Sequence, residues 1–119
     1  MKAPTSCHLW SCETLKSEDL RNLEQVESFV DESHLVRSLV RCQSCGQLYF
    51  KEWLEFIGYL IGSREDPVYI TLVPVETRDE IEQLKRTTSE ELTQFRPQLR
   101  SDWPSDADQP RIYWVRGDT

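Results

Sequence analysis

What the sequence lacks sets the first limits. No apolar run approaches the roughly 18 residues that a membrane-spanning helix needs, so no membrane partner is expected. The opening MKAPTSCHLW carries one lysine and no apolar stretch behind it, which predicts no secretory leader and a cytoplasmic address. With 4 glycines among 119 residues there is no phosphate-binding Gly-rich loop, and neither H-E-x-x-H nor G-x-S-x-G occurs. Positive charge is also short: 14 basic against 21 acidic residues leave a formal charge of −7. Such a surface repels phosphate backbones, which argues against a nucleic-acid partner. Hydrophobic residues make up 38%, so the core should be small and would gain from a staple. The length suits one domain, 1–119.

What is there begins with the cysteines. They occur at Cys7, Cys12, Cys42 and Cys45, as one C-x4-C pair and one C-x2-C pair separated by positions 13–41. Scattered core cysteines have no reason to pair off in this way. Zinc gives one, because four thiolates at about 2.3 Å must converge and a short turn supplies two from one segment. In such a turn, backbone N–H groups after the first cysteine aim at its sulfur. The residue behind the second cysteine needs positive φ, which glycine adopts without a Cβ clash, and Gly46 stands there. The expectation is a structural zinc ion on Cys7, Cys12, Cys42 and Cys45. A thiol redox pair at Cys42 and Cys45 is the competing reading, but a redox C-x-x-C opens a helix and Gly46 suits one poorly. Disulfides lack the secretory context. His8, beside Cys7, reads as a loop residue and His34 as a strand-end residue, and neither is assigned as a ligand.

The stretch RCQSCG (41–46) resembles one knuckle of the zinc-ribbon and rubredoxin-like families, in which two cysteine turns clamp a metal. Cys42, Cys45 and Gly46 match that knuckle, whereas Cys7 and Cys12 depart from the usual C-x2-C spacing of its partner. The likeness covers two patches rather than the chain. HLVRSLVRCQSCGQLYFKEW, followed by DPVYITLVPV, is also similar to small uncharacterised bacterial proteins with a CxxCG motif. No activity comes with that likeness.

Along the chain, SEDLRNLEQVESFV (17–30) sets Leu20, Leu23 and Val26, then Phe29 and Val30, at helical spacing behind a Ser17 cap, which predicts a helix. HLVRSLVRC predicts a strand leading into the cysteine turn, and residues 47–57 a strand returning from it. GSREDP reads as a turn into the strand VYITLVPV, with Pro74 at its exit. Thr77-Arg78-Asp79-Glu80 is a capping box opening a helix at 78–86, in which Ile81 and Leu84 face inward. Thr88-Ser89-Glu90-Glu91 repeats that box and starts a second short helix burying Leu92, Phe95 and Leu99. SDWPSDADQP (101–110) reads as a polar loop, and RIYWV as a closing strand. The sum is an α+β fold: a small antiparallel sheet built on a zinc-knuckle hairpin, with two or three short helices.

No catalytic constellation assembles. Four thiolates close a metal's coordination, whereas catalytic zinc keeps one position open. The H-x-E element of a deaminase is also absent. The expectation is therefore a non-enzymatic zinc-binding protein that works by protein–protein contact, its acidic surface meeting a basic partner. A bacterial immunity-type inhibitor of a basic toxin is one concrete form. Most of the Trp and Tyr residues are read as core filling, with Trp103, among polar neighbours, the best candidate for an exposed partner anchor.

Overall fold

Alternation along the strands decides the architecture. In the computed structural model, which describes residues 1–56, 67–104 and 107–117, six strands form one antiparallel sheet in the order β1-β2-β3-β4-β5-β6. They are β1 (Leu23–Asp31), β2 (Leu35–Cys42), β3 (Leu48–Glu55), β4 (Val68–Val75), β5 (Gln98–Trp103) and β6 (Arg111–Val115). Short helices α1 (His8–Ser11) and α2 (Ser17–Leu20) precede β1, while α3 (Arg78–Lys85) and α4 (Ser89–Leu92) fill the connection from β4 to β5. Neighbouring residues on a strand point to opposite faces, and they enter two separate cores here. Val40, Tyr49, Leu72 and Leu99 pack with Cys7 and Leu9 on one face. Leu39, Phe50 and Val73 pack with Ile81, Leu84 and Leu92 on the other. The amino-terminal segment thus covers one face of the sheet and the α3–α4 connection the other.

Both capping boxes form. The Thr77 hydroxyl accepts from the Glu80 amide and the Thr88 hydroxyl from the Glu91 amide, each glutamate answering the cap's own N–H. The β2–β3 hairpin is in register from Leu35↔Leu54 to Arg41↔Leu48. The residue 57 end of the second predicted strand, and Tyr59, lie outside the described residues. Pro74 sits past the end of the β4–β5 ladder, which stops at Leu72↔Leu99, so its missing N–H breaks no rung there.

The predicted helix over 17–30 is corrected. Only Ser17–Leu20 is helical, and Leu23 onward is strand. The cause is two irregularities in the β1–β2 ladder. Gln25 pairs with Val40 and Glu27 with Leu39, leaving Val26 over; Ser28 pairs with Ser38 and Val30 with Arg37, leaving Phe29 over. Each extra residue lengthens the alternation from two to three. The apolar spacing that imitates a helix comes from these two extra residues, and it marks no single face: Leu23 packs on the cysteine side, Phe29 on the helix side, and Val26 is exposed. The second predicted helix is shorter than expected, and Leu99 lies in β5, a strand whose first residues are expected in that helix and whose last, from Ser101, in the loop. Trp103 ends that strand half-buried, its indole N–H donating to the Ala107 carbonyl at 2.9 Å, so it is not the exposed loop anchor expected.

Candidate metal centre

The cysteines reach one another because both their segments end at the same corner of the sheet. Cys42 is the last residue of β2. Its N–H donates to the Gln47 carbonyl at 2.9 Å, and the Gly46 N–H returns to the Cys42 carbonyl at 2.8 Å. Gly46 closes this turn at φ +83°, the left-handed conformation anticipated from RCQSCG. From the other side, Cys7 precedes α1 in extended conformation, and its carbonyl accepts from the Trp10 N–H at 3.0 Å. Leu9, fully buried, drives this segment onto the sheet. The Trp114 indole N–H of β6 grips the Leu9 carbonyl at 2.7 Å. Trp10 meets Trp114 edge-on at 4.9 Å, and the Arg116 guanidinium lies 3.9 Å above the Trp10 ring.

The result is a three-thiol cluster. The sulfurs of Cys7, Cys42 and Cys45 all lie within 4.8 Å of one another. Cys7 and Cys42 are buried and Cys45 is exposed, so the cluster opens to solvent on one side. Thiolates around a tetrahedral ion, with bonds of about 2.3 Å, stand about 3.8 Å apart. A contraction of about 1 Å at most therefore closes them on a metal. Cys12 lies apart from the three: its thiol donates to the Thr14 carbonyl at 3.2 Å. His8 Nδ1 sits 3.9 Å from the Cys42 sulfur. His34 is at the far end of β2, 3.3 Å from a Glu55 carboxylate oxygen.

The electrostatics of the corner favour negative sulfur at Cys42. Burial pushes this thiol up, but the Ser44 and Cys45 amides aimed at its sulfur, with the neighbouring thiols, more than offset that, and its pKa falls. The Asn22 side-chain amide adds a further N–H at 3.8 Å while also holding the Ser44 hydroxyl at 2.7 Å. Cys7 behaves differently. Burial drives it up to about 11 against the opposing Tyr49 hydroxyl and Leu9 amide. Tyr49 is fully buried, and its hydroxyl faces Cys7 without a hydrogen bond of good geometry. A buried hydroxyl without an acceptor is costly, and a thiolate at Cys7 would supply one. The donor set and this orphaned hydroxyl both fit a bound cation. Sequence reading missed Tyr49 and Asn22; the strand alternation put Tyr49 on the cysteine face, but nothing in the sequence signals its hydroxyl.

A second concavity, of about 690 Å³, lies on the helix-covered face between Glu52, Tyr69, Thr71, Ser89 and Arg100. Two of its charges are already matched, Glu52 by Arg37 and Arg100 by Asp102, and Arg100 also donates to the Thr71 hydroxyl. No helix among the described residues is long and apolar enough to cross a membrane. Compared with family models, curated proteins and solved structures, the chain finds no match in any of the three.

Proposed function

We propose that this protein is a non-enzymatic zinc-binding protein, its ion structural, and that it acts through contact with a basic protein. The observation that carries the zinc reading is the convergence of three thiols from two distant segments to within 4.8 Å. Soft thiolate donors select zinc among the common divalent ions. Amides directed at the Cys42 sulfur and the left-handed Gly46 add support, and both accord with the resemblance of RCQSCG to a zinc-ribbon knuckle. The protein-contact reading rests on charge. Residues 1–33 carry 3 basic against 7 acidic residues, and Asp31 and Glu32 are exposed at the end of the edge strand β1, whose Glu24 and Glu27 are paired with Arg41 and Arg78. A cytoplasmic, bacterial immunity-type inhibitor of a basic toxin fits that surface.

Elemental analysis with native mass before and after chelation tests the ion. One zinc per chain is expected, with loss of that mass on chelation. Cys45→Ser should lower the melting temperature markedly, because it opens the site and folding energy comes from binding; unchanged melting contradicts the reading. For the partner, binding to a basic protein should weaken as salt rises, and indifference to salt removes the electrostatic argument.

One observation favours a second reading. The lowered Cys42 pKa beside an exposed Cys45 suits a thiol redox pair. Thiol titration under reducing conditions separates the two. Rapid reaction of the exposed Cys45 before any chelator favours redox, and its protection lifted by chelation favours zinc.

A further inference from the structure

Three thiols leave one position of a tetrahedral ion to fill, and two side chains of the amino-terminal segment compete for it. Cys12 follows α1 with its thiol committed to the Thr14 carbonyl, and neither it nor His8 belongs to the group of mutually close donors formed by Cys7, Cys42 and Cys45, so whichever fills the position must move toward the ion. His8 opens α1, directly after Cys7, so the turn that delivers Cys7 to the cluster delivers the imidazole with it. Its Nδ1 stands 3.9 Å from the Cys42 sulfur, and the ring has no other hydrogen bond among the described residues. A nitrogen and a sulfur bound to one tetrahedral zinc, at about 2.0–2.1 Å and 2.3 Å, are separated by about 3.5 Å. The observed spacing is therefore within about half an ångström of a ligand pair. Exposure of His8 leaves it free to turn toward the ion without displacing core.

We propose that the fourth ligand is His8, giving a Cys3His centre of Cys7, His8, Cys42 and Cys45, and that Cys12 remains a free thiol. This rests on the zinc reading above and refines the ligand set expected from cysteine spacing alone. The consequence is chemical. A neutral imidazole in place of a fourth thiolate leaves the loaded site one charge less negative, and one cysteine stays open to alkylation while the ion is bound.

The test uses the full chain loaded with one equivalent of zinc, or of cobalt as a spectroscopic probe. Brief treatment with iodoacetamide and peptide mass mapping should find Cys12 alkylated and Cys7, Cys42 and Cys45 protected. Competition with a chromophoric chelator should show His8→Ala binding zinc about tenfold or more weaker, with Cys12→Ser unchanged. His8→Ala should also alter the visible cobalt spectrum while keeping the sulfur charge-transfer bands. Protection of Cys12, with weakened binding in Cys12→Ser, overturns the His8 assignment and leaves the zinc reading standing. A reactive Cys12 with unaltered His8→Ala affinity overturns it too, since solvent then holds the fourth position. A wild-type chain that takes up neither metal overturns the zinc reading itself.

Discussion

Lys51 lies mid-strand in β3, opposite Ser38 on one side and Leu72 on the other, on the sheet face that carries the cysteines. Its ammonium has no hydrogen bond or ion pair among the described residues, and burial lowers its pKa. The unfolded chain holds that proton up to the ordinary lysine value, whereas the folded chain gives it up earlier. At neutral pH the fold thus bears the cost of a desolvated cation, and the cost disappears as pH rises through the folded pKa toward the unfolded one. Lys51→Met should stabilise the protein at pH 7 by about 1 kcal/mol. Its advantage over the parent should shrink toward pH 10 in denaturant melts, and a gap independent of pH would contradict this account. Gly46 gives a second residue-scale expectation. A Cβ there would meet nothing within 4 Å, so only the φ of +83° resists substitution. Gly46→Ala should cost about 1 kcal/mol, and Gly46→Asn less, in the same melts. That requirement was legible in RCQSCG, since a turn joining two cysteines to a returning strand needs one left-handed residue. Lys51 was not legible as a burdened residue, because nothing local tells which lysine the fold will cover.

At the scale of elements, a buried ion pair joins sheet to helices. Arg37 of β2 faces Glu52 of β3 in register. Its guanidinium bonds the Glu52 carboxylate at 2.8 Å and the Thr87 carbonyl, beyond α3, also at 2.8 Å. The Ser89 hydroxyl, opening α4, donates to the same carboxylate at 2.9 Å. Both charges are almost wholly buried, with side chains 6% and 4% exposed. Removing one partner strands the other, so Glu52→Ala should destabilise by about 3–5 kcal/mol. Glu24→Ala, which breaks the exposed pair with Arg41, should cost under about 1 kcal/mol. Equal effects in chemical denaturation would mean the pair is not what docks the helices. The sequence disclosed other elements more readily than this link. Capping boxes at Thr77 and Thr88 name their own helix starts, and runs such as VYITLVPV have no helical alternative. β1 was hidden because two extra residues stretch its alternation to three. β5 was hidden because Gln98 and Ser101 are buried polar residues: Gln98 is satisfied by the Thr93 and Phe95 carbonyls at 2.9 and 2.7 Å, bonds that no local pattern announces.

For the whole molecule, the two faces of the sheet depend on the proposed ion unequally. The core under α3 and α4 is closed by apolar side chains and the Arg37–Glu52 pair, with no cysteine in it. The opposite core contains Cys7 and Cys42, and its cover is a segment with a single four-residue helix next to the thiols. Once the ion is removed, that cover keeps Leu9, Leu15 and Leu20 against the core, the Trp114 bond and the Trp10 contacts. Local opening follows the weakest-held segment, not the global transition. Chelation should therefore raise hydrogen exchange at Trp10, Cys12 and Gly46 first, while amides of α3 and the β3–β4 ladder keep their protection. Tryptophan emission should shift in parallel, since Trp10 and Trp114 lose their packing. The free energy of unfolding should fall as well, because an exposed Leu9 and Tyr49 leave one face of the sheet wet. Simultaneous loss of protection across α3 and the ladder would mean that the ion supports the entire fold, while unchanged exchange everywhere would mean that no ion holds this corner.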